Sequence, residues 1–303
     1  MDYHQPVMLN ECIEGLNIRP DGTYVDATFG GGGHSRAIMS RLGEGGRLIA
    51  FDQDADALAN ALDDPRFTLL NENFRHAKSF LRLHGVRKVD GILADLGVSS
   101  HQFDVAERGF STRYDGALDL RMDQRQELTA RDIVNNADEQ ELTRLLRLYG
   151  ELPNARQMAK AIVAARANKA IETTFDLREA VSRHLPRGLE NKYLAMLFQA
   201  LRIEVNGELD ALQALLLQAV ELLNPGGRVV VMSYHSLEDR LVKNFFKTGN
   251  FEGVLEKDFY GNQIVPLRVV TRKAVTASEE ELQRNNRARS AKLRIGEKLK
   301  VEN

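Results

Sequence analysis

The sequence predicts an α/β protein with a mostly parallel sheet that is divided by an all-helical insertion. In the first third of the chain, short apolar runs alternate with helical patterns, which is typical of right-handed strand–helix–strand crossovers. The same alternation resumes after about residue 207. Between these parts, apolar residues recur at helical spacing. We therefore expect a discontinuous core of residues 1–105 and 207–303 and a helical insertion of residues 106–206.

Three aspartates fall at the carboxyl ends of predicted strands in the first half of the core: Asp26, Asp52 and Asp95. Ligands of open parallel sheets bind at this edge, so we expect these side chains to face a ligand. The predicted strands span residues 23–27, 47–52, 67–70 and 89–95, with helical patterns near 34–42, 54–62 and 75–84.

The second half of the core begins with a helix predicted over residues 207–223. Asn224-Pro225-Gly226-Gly227 ends it, because proline and glycine stop helices and form tight turns. A buried strand is expected at 228–233, followed by a β pair at 251–256 and 265–273.

The insertion opens with a charged, loop-like stretch over residues 105–127. Further on, Asp138 is followed three positions later by Glu141. This spacing is typical of a capping box and predicts a helix over residues 139–149.

Composition excludes several classes of protein. The chain has 303 residues, 43% of them apolar, but no run of about 18 apolar residues that would predict a transmembrane helix. Its N-terminus lacks the features of a signal peptide, and Cys12 is the only cysteine, so we expect a cytoplasmic protein without disulfides. The seven histidines show no pair at ligand spacing on one helix face, which predicts no metal site.

Positive charge is concentrated near the C-terminus. The net charge is −2, but residues 268–300 form a predicted basic tail with ten Lys or Arg and four Glu, a local charge of +6. Such a tail is typical of phosphate-backbone binding, and charge alone equally allows a solubilising tail. The basic residues are Arg268, Arg272, Lys273, Arg284, Arg287, Arg289, Lys292, Arg294, Lys298 and Lys300.

A glycine-rich loop follows the first predicted strand. Four glycines follow Phe29, and their spacing does not fit the dinucleotide pattern G-x-G-x-x-G. The stretch from Asp26 to Gly32 instead fits acid-x-x-x-Gly-x-Gly, which resembles the first motif of S-adenosylmethionine-dependent methyltransferases. Asp52, at the tip of the next strand, suits a ribose of such a cofactor. The alternative, a glycine turn that binds nothing, is weakened by the placement of Asp52.

Asp95 begins the segment Asp95-Leu96-Gly97-Val98-Ser99-Ser100. Amino-methylating enzymes usually carry an Asp/Asn-Pro-Pro-Tyr-like motif at this position. Its acid or amide accepts hydrogen bonds from an exocyclic amine and orients the nitrogen towards the methyl group. Asp95 can act in this way, although it could also only cap the next element.

A second polar cluster, Ser233–Arg240, follows the strand at 228–233. Tyr234 or His235 could stack on a flipped base, which is worth about 1–3 kcal/mol per base. A structural role for His235 is equally compatible with the sequence. After the glycine loop, the backbone N–H of His34 is expected to help hold the carboxylate end of the cofactor.

Together these motifs resemble the bacterial ribosomal RNA small-subunit methyltransferase H family. They appear in order over nearly the whole chain: His4-x-Pro6-Val7-Met8-Leu9, the Asp26–Ser35 loop, Asp52-Gln53-Asp54, residues 90–100, Glu107–Ser111, Asp119–Asp123, Phe198–Asn206, Ser233–Arg240 and Arg289–Arg294.

The resemblance implies a Rossmann-like class I methyltransferase core with an inserted helical domain for substrate recognition. It also implies methylation of N4 of a cytidine in the decoding region of 16S rRNA within the small ribosomal subunit, with S-adenosylmethionine as cofactor. The cofactor contacts that it implies are Gly32, Gly33, His34, Asp52, Phe74, Asp95 and Gln102, with Asp95 also catalytic.

One position and one segment depart from the family pattern. His101 stands where the family usually has proline, and Lys192–Leu197 replaces a His-Pro-Ala-Thr-Arg-Thr segment.

From the residues themselves, we expect Tyr234, His235, Arg289, Lys292 and Arg294 to contact substrate RNA. Two alternatives remain at the level of sequence: a methyltransferase with a different RNA, a small molecule or a protein as substrate, and a non-catalytic RNA-binding assembly factor. Transfer of a labelled methyl group to RNA would distinguish the protein from a methyltransferase with a different substrate. Binding of the cofactor would distinguish it from a non-catalytic assembly factor. No membrane partner is expected.

Overall fold

The computed structural model describes residues 6–299. No helix in that range is both long and apolar enough to cross a membrane. His4 of the first motif and Lys300 of the basic segment lie outside the described residues. By its internal contacts the chain divides into two units. One comprises the chain up to Gly97 and from Leu209 onward, and the other is Val98–Glu208.

The first unit contains a seven-stranded sheet with the order β3-β2-β1-β4-β5-β7-β6. The neighbours from β3 to β5 are parallel, whereas β7 runs antiparallel to both β5 and β6. The strands predicted at 67–70 and 89–95 are confirmed to the residue. The strands are β1 Thr23–Asp26, β2 Arg47–Phe51, β3 Phe67–Leu70, β4 Val89–Asp95, β5 Leu223–Ser233, β6 Leu267–Val269 and β7 Lys292–Lys298.

Helices connect and cover these strands. The helical pattern near 54–62 forms a short 3-10 helix at Ala55–Asn60 instead of an α-helix. Further 3-10 helices of the described chain lie at Phe74–His76, Ala106–Arg108, Ser182–His184 and Asn286–Ser290. The α-helices of the described chain are α1 Leu9–Leu16, α2 Gly33–Met39, α3 Ala77–Leu83, α4 Ser100–Asp104, α5 Ala130–Asn136, α6 Glu139–Leu148, α7 Ala155–Arg166, α8 Thr174–Val181, α9 Glu190–Asn206, α10 Glu208–Leu222, α11 Ser236–Thr248 and α12 Glu279–Arg284.

The sheet is buried on both faces. Successive strand residues point to opposite sides, so neighbours in sequence join different cores. Val25 and Ile92 join a core formed with α3, α10 and α11. Tyr24 and Leu93, their neighbours in sequence, join the opposite core with α1 and α2. This doubly wound arrangement leaves the carboxyl ends of the parallel strands as the edge where a ligand can bind.

The second unit has a core of its own. The segment predicted as a charged loop supplies four buried apolar side chains to that core, Phe110, Leu118, Leu120 and Met122. Val98 packs against the same core, so this unit begins eight residues before the predicted start of the insertion at residue 106.

Two predictions for the C-terminal region are wrong. Residues 251–256 form no strand, because Asn250 Oδ1 accepts hydrogen bonds from the N–H groups of Gly253 and Val254 and closes a turn. The partner of β6 is instead β7. The basic segment is also not a tail, since it contains β6, α12 and β7. Alternation of buried Leu293 and Ile295 with polar neighbours places β7 within the sheet.

Candidate active site

The glycine loop leaves β1 and leads into α2 in a conformation that needs glycine. Gly30 and Gly32 have φ angles of 50° and 74°, in the left-handed region. A Cβ at Gly33 would lie 2.2 Å from Pro6 Cγ, so close packing excludes a side chain there. A Cβ at Gly31 would meet nothing within 4 Å, so the backbone here is open to a ligand. The main chain of this loop can therefore approach a cofactor closely.

Asp26 stabilises the glycine loop through hydrogen bonds to its side chain. Its side chain is fully buried and accepts hydrogen bonds from Ser35 Oγ at 2.7 Å and from the N–H of Thr28 at 3.1 Å. Burial raises the pKa of Asp26 to about 6. The acid at the start of the motif therefore shapes the loop through its contacts with Thr28 and Ser35.

Asp52 joins the loop to the end of β2. Its Oδ2 accepts a hydrogen bond from the N–H of Gly30 at 2.7 Å, and its Oδ1 accepts one from the N–H of Asp54 at 2.9 Å. Burial raises the pKa of this carboxyl to about 6. A carboxylate has about four lone-pair sites, so Asp52 retains acceptor capacity for the hydroxyls of a ribose.

Phe74, predicted beside the adenine, lies in the 3-10 helix that follows β3. Its ring is half-buried and packs against the core formed with α3, α10 and α11. Asn73 caps this helix and also donates to Gln53 Oε1 at 2.6 Å, next to Asp52. This hydrogen bond connects the segments that follow β2 and β3.

Asp95 lies at the end of β4 and has contacts on both carboxyl oxygens. Tyr234 donates its hydroxyl to Oδ1 at 2.7 Å, and Nδ1 of His34 lies 3.8 Å from Oδ2. Burial, with smaller contributions from the nearby carboxylates of Asp26 and Glu238, raises the pKa of Asp95 to about 7, although the hydrogen bond from Tyr234 opposes this shift. Because 24% of the side chain remains exposed, Asp95 can still contact a substrate.

His34 contributes its ring to the site, whereas the sequence suggested only its backbone. The imidazole is buried, and its Nε2 lies 3.2 Å from the carbonyl oxygen of Val7. A carbonyl only accepts, so Nε2 carries the proton and Nδ1 is bare. Burial lowers the pKa of His34 to about 4, which keeps the ring neutral.

The two residues after β5 have different contacts. Tyr234, predicted as a stacking residue, directs its hydroxyl to Asp95. His235 instead caps α11, where its Nδ1 accepts from the N–H of Glu238 at 3.4 Å and its Nε2 lies 3.2 Å from Glu238 Oε1. These contacts give His235 a structural role at the start of α11.

Gln102 belongs to the second unit. Its amide oxygen accepts from the N–H of Ser99 at 3.0 Å, and its own N–H donates to Ser99 Oγ at 3.2 Å. This capping box begins α4, which also includes His101.

The three basic residues predicted to contact RNA differ in exposure and pairing. Lys292 Nζ lies 3.2 Å from Asp239 Oδ2, and Arg294 Nε lies 2.6 Å from Asp239 Oδ1. Only 12% of the Arg294 side chain is exposed. Arg289 lies on the exposed surface of the last 3-10 helix.

Sequence reasoning missed Thr28 and Ser35, the hydroxyl residues of the loop. Thr28 Oγ1 accepts from the N–H of Asp95 at 2.7 Å and so joins the loop to β4. Hydroxyl side chains within a glycine-rich loop were the available signal, because they can satisfy the polar groups of a buried turn.

The electrostatics of this edge fit a cationic cofactor. Asp26 is buried, Asp52 and Asp95 are partly buried, and desolvation raises the pKa of all three carboxyls. Such a site disfavours a pyrophosphate and favours a positive charge, because opposite charges stabilise ionised carboxylates. The sulfonium of S-adenosylmethionine meets this requirement, Asp52 suits its ribose, and the open backbone of the loop suits its close approach.

The sheet order, the glycine loop and the three acids define a Rossmann-like class I S-adenosylmethionine-dependent methyltransferase. The chain belongs to the MraW methylase family, whose model matches residues 1–299. S-adenosylmethionine is accordingly its cofactor.

Curated relatives match the chain over nearly its full length. It is 59% identical to the ribosomal RNA small subunit methyltransferase H of Flavobacterium johnsoniae, with 99% of each chain covered. It is 57% identical to the protein of the same name from Bacteroides thetaiotaomicron, with 98% of each covered. Among solved structures, an rRNA methylase from Streptococcus thermophilus is 11% identical with a TM-score of 0.43, over 96% of this chain and 94% of that one.

The raised pKa of Asp95 predicts that the ligand-free protein loses stability between pH 6.5 and 8. The folded state holds this proton up to about pH 7, whereas an unfolded aspartate loses it near pH 4, so stability falls as pH rises through the folded pKa. Asp95 contributes a loss of about 1 kcal/mol over this window, or roughly 2–4 °C in Tm. Thermal unfolding at both pH values measures it.

Asp95→Asn is the matched variant for this measurement and should show a smaller loss. His34 offsets part of this loss by a few tenths of a kcal/mol, because an unfolded histidine with a pKa near 6.5 still loses protons in the lower part of this window. Asp95→Asn retains this contribution, so the difference between the wild type and the variant isolates Asp95. S-adenosylmethionine should stabilise the protein more at pH 8 than its demethylated product does, because only the former carries a positive charge on sulfur. A Tm that is flat in the wild type, or that falls equally in Asp95→Asn, would contradict the assignment.

Proposed function

We propose that this protein transfers a methyl group from S-adenosylmethionine to the exocyclic N4 amine of a cytidine in the decoding region of 16S rRNA, within the small ribosomal subunit. The observation that carries the proposal is Asp95, a partly exposed carboxyl at the end of β4 that is held by Tyr234 beside the glycine loop. The names of the curated relatives support ribosomal RNA of the small subunit as the substrate class. A ribosomal substrate also implies a cytoplasmic site of action.

Asp95 suits an amine whose lone pair is delocalised into an aromatic ring. When bound, S-adenosylmethionine supplies an electrophilic methyl group. Asp95 accepts a hydrogen bond from the amine, which increases electron density on the nitrogen and orients it for in-line attack. The same carboxylate takes up the proton that the nitrogen loses. A pKa of about 7 suits this task, because a general base works best when its pKa is near the working pH.

The target base must leave its stack to reach this edge. Unstacking costs a few kcal/mol and least where the RNA is already unpaired. The helical unit offers one basic surface for holding the surrounding RNA, a groove of about 740 Å³ along α6 and α7. Its lining includes Arg147 and Arg156, together with Glu139 and with Arg144, which pairs with Glu141 at 2.7 Å. Arginines in such a groove can bind phosphates through several N–H donors.

Arg289→Ala is expected to lower the salt dependence of RNA binding. Arg289 is exposed, whereas Lys292 and Arg294 pair with Asp239. Loss of one phosphate contact should reduce the slope of log K against log salt by about 0.7–0.9. Binding of small-subunit rRNA measured at several salt concentrations gives this slope.

Arg294→Ala is the matched comparison. It should lower the Tm, since it removes the Arg294 ion pair of the partly buried Asp239 and leaves the Lys292 pair, and should change the salt slope less. An unchanged slope in Arg289→Ala would remove this residue from the RNA interface.

The proposal is tested by incubating the protein with labelled S-adenosylmethionine and small ribosomal subunits that lack the modification. The RNA is then digested and the labelled nucleoside identified by mass spectrometry. N4-methylcytidine at a single decoding-region position is the expected result. Label in another nucleoside, or methyl transfer only to protein or small molecules, would overturn the substrate assignment. Absence of cofactor binding would favour a non-catalytic assembly factor.

A further inference from the structure

The two oxygens of the Asp95 carboxyl have different surroundings. Oδ1 accepts the hydroxyl of Tyr234 at 2.7 Å, so one of its lone pairs is occupied. Oδ2 faces Nδ1 of His34 at 3.8 Å. Because Nε2 of His34 carries the ring proton towards Val7, Nδ1 has no hydrogen to donate to Oδ2. The Tyr234 hydroxyl therefore donates to Oδ1, whereas the His34 ring donates nothing to Oδ2. Oδ2 is the oxygen that can accept a hydrogen bond from a substrate.

Tyr234 remains a donor over the whole working range of pH. Burial and the neighbouring Asp95 carboxylate raise the pKa of its phenol well above the usual value. The tyrosine follows β5, and the parallel pairing of β4 with β5 sets Asp95 opposite Met232, two residues before Tyr234. This register makes the hydrogen bond a consequence of the sheet itself.

We infer that Tyr234 is a positioning residue that holds Oδ1 of Asp95 and thereby directs Oδ2 to the amine of the substrate. The inference rests on the proposed function and specifies its proton acceptor. The nitrogen forms a bond to the methyl carbon as the carbon–sulfur bond breaks, with that electron pair passing to sulfur. The N–H bond pair stays on nitrogen and the proton passes to Oδ2. Tyr234 acts through its hydroxyl and not through stacking of its ring on the base.

The charged and polar groups that surround Asp95 determine its pKa. Tyr234 stabilises the ionised form, while the charges of Asp26 and Glu238 oppose it. His34 faces Oδ2. Buried Cys12 of α1 is also near, and the charge of Asp95 contributes to the raised pKa of its thiol. Of these groups, Tyr234 is the one that stabilises the ionised form of Asp95. Removing its phenolic hydroxyl therefore removes that stabilisation and leaves the other groups in place.

Tyr234→Phe separates the two roles of this residue, because it keeps the ring and removes the hydroxyl. We expect the pKa of Asp95 to rise by about one to two units, the size of a lost hydrogen bond to a charged group. Carbon-13 NMR of the labelled Asp carboxyls follows this titration in the ligand-free protein, with Asp95→Asn identifying the resonance. The acid limb of kcat/KM for methyl transfer should move upward by the same amount, with the KM for small subunits and the Kd for S-adenosylmethionine unchanged.

Tyr234→Leu provides the comparison, since it removes ring and hydroxyl together. If Tyr234 acts by stacking its ring on the base, Tyr234→Phe will transfer methyl groups like the wild type with an unmoved acid limb, and only Tyr234→Leu will raise the KM for the RNA. That outcome overturns the inference. A wild type that transfers no methyl group to small subunits, with Asp95 still titrating higher in Tyr234→Phe, would instead leave the positioning role intact and reject the proposed substrate.

Discussion

Asp95→Ala is expected to lower the rate of methyl transfer by about 10²–10⁴-fold, the usual contribution of a general base. The variant should still bind S-adenosylmethionine within a few-fold of the wild type, because the Gly30 contact with Asp52 and the open backbone at Gly31 remain. Single-turnover transfer to small subunits measures the rate, and calorimetry measures the affinity.

Asp95→Asn is the informative control. Its amide oxygen can still accept one hydrogen bond from the amine but cannot take up the proton, so it should retain orientation without base catalysis. The wild-type kcat/KM should fall as the pH drops below about 7, since the carboxylate is the active form. Equal losses of affinity and rate in Asp95→Ala would reject the catalytic role and reduce Asp95 to a cofactor contact.

Asp52→Ala is expected to weaken cofactor binding by about 10- to 100-fold. Hydrogen bonds to a charged group contribute about 1.5–3 kcal/mol, and this carboxylate both orders the loop through Gly30 and offers acceptors to a ribose. The rate at saturating cofactor should change far less, because Asp95 and Tyr234 are untouched. Calorimetric titration with S-adenosylmethionine gives the affinity directly.

Asp63→Ala controls for the loss of a negative charge, because Asp63 is an exposed carboxylate of the same unit. It should bind the cofactor like the wild type. Asp52→Asn should be intermediate, since its oxygen can still accept from Gly30 and order the loop. An unchanged affinity in Asp52→Ala would exclude the ribose role.

Strands with a clear apolar run could be predicted closely from the sequence. β3 and β4 match the predicted residues, and β1 and β2 differ by a single residue at one end. Such runs are buried on both faces of a parallel sheet, so their composition alone identifies them. The helix that includes Leu142 and Leu145 was equally predictable from its 3.6-residue period and its cap at Asp138.

The C-terminal region was harder to predict, because local and distant contacts compete there. Residues 251–256 have strand-like composition, but the hydrogen bonds of Asn250 close a turn. In the basic segment the charge pattern obscured the alternation of Leu293 and Ile295, and β7 became visible only through its pairing with β5. Strand assignment at such positions depends on the partner that the rest of the sheet offers.

The sequence by itself determined the α/β alternation, the glycine loop and the three acids at the strand ends, because local spacing and residue type suffice for these. Only the tertiary structure decided which oxygen of Asp95 meets Tyr234, that the His34 ring faces the other oxygen, and that Lys292 and Arg294 pair with Asp239. These partners are far apart in sequence, and the order and register of the strands bring them together. Spacing along the chain carries no information on that register, so the roles of these side chains follow from the folded sheet.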